Sequence, residues 1–442
     1  MMKHFKFNTR LAASMVLATT LASLVSPAAT AATPLNTPLN FASYLAAVEA
    51  HSLELKAQNE TVTSAKAGIG IAGIRPDPEF SIGASRETVK TGANRPVTWT
   101  PTVSMVIETG GKRDARLKAA RSNVLLAEET VAGFKSELYA TAAAAFTEAC
   151  LTREVVARKE QTMTALSKVV DANGVRRKVG DVGGIELLQS RVERDQFQAE
   201  LMQARSDADS AMLNLSPALG QSFETLFPDA QLSCDFNAFE TGSVSKLVPQ
   251  ALRERNDVRI ARAALDNLRD GASLVRANRS VDPTVSLGVS AARGYHDGVD
   301  ANGDTVDGTP RSRALSLSLS IPIPLSRRDK GDIVQAEAGV TQAMLALRQA
   351  ELKAETDVRT ASVQLVSAQQ RLARYHDGVL VDAQKVVDGI RLSYFSGNAS
   401  LLEWLAAQRS ADDAYQGYLQ ARADVAIAST QLQLAIGQRP TL

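Results

Sequence analysis

The sequence predicts a mainly α-helical chain with a transmembrane β portion, built twice from one unit of helix, β-hairpin and long helical hairpin. Three observations predict it. Two long proline-free stretches, 102–216 and 325–439, carry apolar residues at heptad spacing. Each follows a pair of short segments in which apolar residues alternate with small or polar ones. Third, Gly180 matches Gly397, Gln203-Ala204-Arg205 matches Gln420-Ala421-Arg422, and Gly220-Gln221 matches Gly437-Gln438, all at one offset of 217. Three anchors sharing one offset mark an internal duplication.

The elements follow in order. Residues 1–31 form a secretory signal, with Lys3, Lys6 and Arg10 before an apolar run and Ala29-Thr30-Ala31 as the cleavage site. Removing three positive charges and no acid takes the formal net charge from +1 to −2. A near-neutral mature chain argues against nucleic acid as a partner. The first copy, 32–221, holds a helix over 41–74, a β-hairpin over 78–108 and a helical hairpin over 112–216. The heptad row Leu117, Val124, Val131, Leu138, Ala145 places a helix of about 60 residues, ending near 170. The chain turns at Val179-Gly180-Asp181 and returns from Ile185. A connector, 222–245, holds Phe223, Phe227, Cys234 and Phe236. The second copy, 246–442, repeats the order with a helix over 248–275, a β-hairpin over 283–322 and a helical hairpin over 328–437. Its heptad row is Ile333, Val340, Leu347, Ala354, Ala361, Ala368, and its turn is Ser396-Gly397-Asn398.

The run Leu315-Ser316-Leu317-Ser318-Leu319-Ser320-Ile321 is the cleanest alternation in the chain. Such a strand offers lipid one face and a polar lumen the other. Four strands cannot close a barrel and an open edge is not tolerated in lipid, so the sheet must close by oligomerisation. A soluble four-stranded sheet in one subunit is the alternative, against which the signal segment and the long helices count.

Two cysteines, Cys150 and Cys234, exclude a disulfide framework. A bridge between them is possible in the periplasm. Two buried thiols are expected instead, because nothing in the sequence brings them together.

Nothing in the chain has the pattern of a catalytic site. Thr109-Gly110-Gly111-Lys112-Arg113 lacks the upstream Gly and the Ser/Thr of a phosphate loop. It is expected to be the joint between hairpin and helix. The mature histidines His51, His296 and His376 have no close His or Cys partners, so no metal centre and no cofactor are expected. In the loop 296–308, Asp300, Asn302 and Asp304 begin like a calcium loop. However, Gly falls at the fourth position rather than the sixth, and no Glu stands at the twelfth. A solvated loop outside the cell is expected.

The duplicated unit, the turns Lys178-Val179-Gly180-Asp181 and Tyr394-Phe395-Ser396-Gly397-Asn398, and the Leu-Gly-Gln and Ile-Gly-Gln helix ends resemble the TolC-like outer-membrane efflux family. The resemblance covers nearly the whole mature chain, and in overall texture it is nearest the CzcC-type cation-efflux branch. It implies a homotrimer in outer-membrane lipid, whose twelve strands form one barrel and whose twelve helices continue it as a periplasmic α-barrel. It also implies a periplasmic adaptor and an inner-membrane RND-type pump as partners. Val179, Gly180, Asp181, Ser396, Gly397 and Asn398 would be the docking tips, with glycine at each turn where a Cβ would clash. Glu186, Glu403 and Tyr394 would line and gate the tunnel mouth. Two departures stand out: the family's gate arginine is Ala399 here, and its second acidic-ring position is Ala406. Glu186 and Glu403 are equally explained as acids favoured at helix N-termini. The cargo would be heavy-metal cations such as cobalt, zinc, cadmium or nickel. A duct for drugs or secreted polypeptide, and in another class a structural periplasmic coiled coil, remain open at this point.

Overall fold

In a computed structural model of the chain, the described residues are 38–86, 97–236, 239, 242–294, 297–299, 302–306, 308, 310–325 and 330–442. The signal expected at 1–31, the first hairpin turn expected around Thr91, and His296 and Asp300 of the acidic loop lie outside them.

The chain begins with α1 (Phe41–His51), started by the Asn40 side chain, which accepts from the Ser43 N–H. The one helix expected over 41–74 is two. Ser52 leaves the helical region at φ −49° and ψ 120°, and its hydroxyl caps α2 (Leu53–Ala72). Next come β1 (Glu79–Arg86) and β2 (Val97–Val106), then α3 (Lys112–Lys178) and α4 (Gly184–Leu213). Two short helices follow, α5 (Ser216–Leu219) at the end of the first copy and α6 (Phe223–Leu226) in the connector. The second copy opens with α7 (Val244–Glu254) and α8 (Asn256–Ala277), broken at Arg255 much as the first copy is at Ser52. β3 (Thr284–Ala292) and β6 (Ser312–Ser320) flank a long loop, in which β4 (Gly298–Val299) and β5 (Thr305–Val306) form a small pair of their own.

The four long strands form one antiparallel sheet in the order β1-β2-β3-β6. Leu287 pairs with Leu317 and Val285 with Leu319, so the large side chains share a face. That face has no protein cover among the described residues: Leu315, Leu317 and Leu319 are 73%, 75% and 62% exposed. The outer edges of β1 and β6 have no partner strand among the described residues.

α3 has 67 residues and is about 100 Å long. It outruns its heptad row, and Arg176, Arg177 and Lys178 in its last turn complement the negative end of the helix dipole. Its counterpart in the second copy is interrupted. α9 (Gly331–Arg374) passes through a π turn, Tyr375–Val379, into α10 (Leu380–Phe395). The sequence accounts for the interruption. Ala157-Arg158 matches Ala373-Arg374 at an offset of 216, whereas Lys168-Val169-Val170-Asp171 matches Lys385-Val386-Val387-Asp388 at 217. One residue has been inserted between the two matches, and a π turn is how a helix absorbs one extra residue. The bulged Tyr375 lies over Gly417 of α11 (Leu401–Ala435). A Cβ there would stand 2.7 Å from the Tyr375 hydroxyl.

The largest core lies where α1, α3, α5 and the connector meet. Tyr44, Phe146, Leu215 and Leu219 are fully buried there, Phe146 meets Phe41 edge-on at 5.5 Å, and the Tyr44 hydroxyl donates to Leu215 O. Here the expectation of two free thiols is corrected. Cys150 and Cys234 are disulfide-bonded, with Cα atoms 5.6 Å apart. The connector reaches α3 because Leu39 and Leu232 form a parallel bridge, with Leu39 N–H donating to Gln231 O and Ser233 N–H to Leu39 O. Residues 84 apart in sequence are brought together by a backbone contact that no local pattern announces.

Candidate functional site at the helical tips

The two helical hairpins end in turns of one geometry. Gly180 has φ +82° and donates to Arg177 O, while Asp181 N–H donates to Arg176 O. Gly397 has φ +79° and donates to Tyr394 O, while Asn398 N–H donates to Ser393 O. Glycine is needed for this left-handed backbone and not for lack of room, since a Cβ at either position would meet nothing within 4 Å. The clash expected from the sequence is therefore corrected to a conformational requirement. Val179, Gly180 and Asp181 on the first tip, and Ser396, Gly397 and Asn398 on the second, are all exposed.

Behind the tips, α3, α4, α10 and α11 share a core of Leu166, Val169, Phe197, Leu401, Trp404 and Leu405. Tyr394 is buried in it at 3% exposure, stacked on Trp404 with ring centroids 6.0 Å apart. Its hydroxyl lies 2.8 Å from Glu186 Oε1 and 2.7 Å from Asn173 Oδ1. One proton cannot serve both acceptors. Asn173 Nδ2 is buried without a partner. With the Asn173 amide turned over, Tyr394 donates to Glu186 and Nδ2 donates to the Tyr394 oxygen, so the one hydroxyl proton no longer has to serve two acceptors. Burial first, and the Glu186 carboxylate second, push the Tyr394 hydroxyl up to about 12, so it stays protonated and able to donate.

Arg176 completes the cluster. Its guanidinium carbon stands 5.3 Å from the centre of the Tyr394 ring, and its Nε donates to Asp181 Oδ2 at 2.6 Å. The Asp181 carboxylate pushes the guanidinium above its usual range.

Of the three expected gate residues, the structure brings Tyr394 and Glu186 together and leaves Glu403 apart. Glu403 is exposed and caps its own helix. Its carboxylate accepts from the Ser400 N–H at 2.7 Å and the Ser400 hydroxyl at 2.9 Å, while the Glu403 N–H donates to Ser400 Oγ. The Ser400 backbone N–H, then its hydroxyl, hold this carboxyl below the usual carboxylate range. Sequence reasoning missed Asn173, Arg176 and Trp404. Asn173 was open to discovery, because it continues the buried positions Leu166, Val169 and Val170 at helical spacing and breaks them with a polar residue.

Other candidate sites dissolve. Lys112 of the loop-like stretch is paired with Asp282, and the Thr109 N–H donates to the same carboxylate, so the stretch joins the two copies. Among the described residues no group of three or more His, Cys, Asp and Glu could hold a metal ion. Among them, too, no helix is long and apolar enough to cross a membrane.

An open sheet with an uncovered apolar face, continued by helical hairpins of which the first holds a helix about 100 Å long, defines a channel subunit. The chain belongs to the outer membrane efflux protein family, whose family model matches residues 45–221 and 247–438, one stretch in each copy. It is 24% identical over 403 residues to the cobalt-zinc-cadmium resistance protein CzcC of Cupriavidus metallidurans, covering 91% of this chain and 90% of that protein. It is 23% identical over 385 residues to the outer membrane efflux protein BepC of Brucella suis, covering 87% and 80%. Among solved structures, CusC superimposes with a TM-score of 0.72 at 18% identity, covering 90% of this chain and 92% of that one. The protein is an efflux channel of the outer membrane and not an enzyme.

Proposed function

We propose that three copies of this chain form one exit duct, which receives divalent metal cations from an inner-membrane RND-type pump through a periplasmic adaptor. The observation that carries the reading is the four-stranded sheet with two unpaired edges. Edges in lipid must be paired, and three such sheets joined edge to edge would give the twelve strands of a closed barrel. The exposed turns at the two tips are the natural docking surface for the adaptor, because they are the parts of the periplasmic helices farthest from the sheet. Tyr394 and Glu186 join the second hairpin to the first and would hold the mouth closed, with Glu403 adding charge at its rim. The metal cargo is supported by the likeness to CzcC over nearly the full length of both proteins. The test is tolerance of cobalt, zinc and cadmium, against a panel of hydrophobic drugs, in cells deleted for this chain and complemented. Restored metal tolerance is expected. Restored drug tolerance without metal tolerance would overturn the cargo assignment.

A further inference from the structure

We infer that Arg176 is a positioning residue of the gate, through which the first tip turn sets the Tyr394 to Glu186 bond. This rests on the gate reading above. Position 399, where the family resemblance would place a gate arginine, is alanine, so the second hairpin supplies no cation there. The structure supplies one from the opposite hairpin. Arg176 leaves the last turn of α3, places its guanidinium over the ring of Tyr394, and bonds Asp181 in the turn itself. Tyr394 in turn reaches Glu186 on α4. Asp181, Arg176, Tyr394 and Glu186 thus form one line of contacts, from a side chain exposed on the tip to the bond that joins the two hairpins.

Three observations separate this from ordinary helix-end charge. Arg177 and Lys178 in the same turn are exposed and already complement the dipole. Arg176 Nη1 is buried without a hydrogen-bond partner among the described residues, which a solvated terminal arginine would avoid. The second copy has Ser393 at the matching position, 217 residues on, so the contact belongs to the first tip alone. A docking partner that draws Asp181 away, by offering it a cation or an N–H donor, would leave the guanidinium free to move off the ring.

The test compares Arg176→Gln, Tyr394→Phe and the double variant in single-channel recordings on purified, assembled protein. A cation on an aromatic face is worth about 0.5–1 kcal/mol at a partly exposed site. Arg176→Gln should therefore raise the ratio of time open to time closed about 2- to 5-fold per subunit. Tyr394→Phe keeps the ring but loses the hydroxyl. Arg176→Gln should then add less than it does alone, because the bond it positions is already gone and only the ring contact remains. If Tyr394→Phe opens the channel and Arg176→Gln closes like the parent, the inference fails and the gate reading stands. If Tyr394→Phe itself closes like the parent, both fail. If the two effects multiply in full, Arg176 acts elsewhere and the inference is overturned. Should Arg176→Gln not assemble, Arg176→Lys keeps the charge but cannot stack flat and bond Asp181 at once. A smaller rise is expected from it, and parent-like closure would overturn the inference.

Discussion

Removing the Cys150–Cys234 bond tests how the connector is held. The bond closes a loop of 84 residues, from the middle of α3 to the middle of the connector. Chain-entropy reasoning gives about 4–5 kcal/mol for a loop of that length, as an upper value. The connector keeps other ties when the bond is lost. Arg422 Nη2 donates to Cys234 O, Arg153 Nη2 lies 3.1 Å from Cys234 Sγ, and Phe223 is packed in the core. The loss should therefore appear as local opening before global unfolding. The perturbation is the pair Cys150→Ala and Cys234→Ala, which leaves no polar group in the buried site. Urea unfolding in detergent, followed by far-ultraviolet circular dichroism, should show a lower midpoint for the pair than for the parent. Limited proteolysis should cut the pair first within 222–245. Reductant should bring the parent to the same behaviour and leave the alanine pair unchanged. Equal midpoints and equal cleavage, with two free thiols titrating in the untreated parent, would refute the reasoning.

The remaining predictions concern the helices, tips and loop. Asp412, buried between α3 and α11, accepts from Arg158 at 3.0 Å and from the Thr162 hydroxyl at 2.8 Å. Asp412→Ala should cost about 3–5 kcal/mol in urea titrations by stranding the arginine, while replacing both members by leucine should recover most of it. Gly180→Val or Gly397→Val puts a β-branched residue at positive φ, at about 1–2 kcal/mol. Heat-stable trimers should survive, and crosslinking to the adaptor should fall; unchanged crosslinking would move the docking surface elsewhere. Glu403→Gln keeps an amide oxygen to accept the Ser400 N–H, so it removes charge without the cap. It should lower cation selectivity and divalent block in single-channel recordings, and Glu403→Lys should reverse the preference. Parent-like conduction in both would leave Glu403 as a helix cap alone. A protease site inserted after Gly303, in the loop between β3 and β6, should be cut on intact cells. Cleavage only after the outer membrane is opened would invert the topology.

What the sequence disclosed depended on how local each signal was. Heptad spacing and strict alternation are properties of neighbouring residues, and α3, α9 and β6 follow from them directly. The break at Ser52 was within reach, since a serine before Leu53-Glu54-Leu55 is a cap signal, but the continuous apolar spacing hid it. The π turn was also within reach, in the step from 216 to 217 between matched motifs. The heptad row hides it, because Ile333 to Ala368 ends before the inserted residue. The disulfide and the Tyr394 to Glu186 bond were out of reach. They join residues 84 and 208 apart, and only the folded chain brings them together. Arg176 was hidden for another reason: in a run of three basic residues at a helix end, the dipole explains all of them equally well.

The duplication explains why the cluster around Tyr394 is asymmetric although the two tips turn alike. At the offset of 217, Asn173 corresponds to Ile390, Arg176 to Ser393, Arg177 to Tyr394 and Leu187 to Trp404. The first copy keeps the polar partners and the second keeps the aromatic ones, so neither hairpin can form the cluster by itself. Such a division needs the two hairpins to face each other in fixed phase. One residue added to an uninterrupted α-helix would turn everything beyond it by about 100°. The π turn absorbs that rotation, and Val387 is buried at 6% exposure just as Val170 is at 7% in the first copy. The inserted residue therefore leaves the register of the tip intact, with Tyr375 seated against Gly417 on one side and Tyr394 against Glu186 on the other. At the tips the copies differ in the side chains that meet across the hairpins, while the two turns that present them share one backbone geometry.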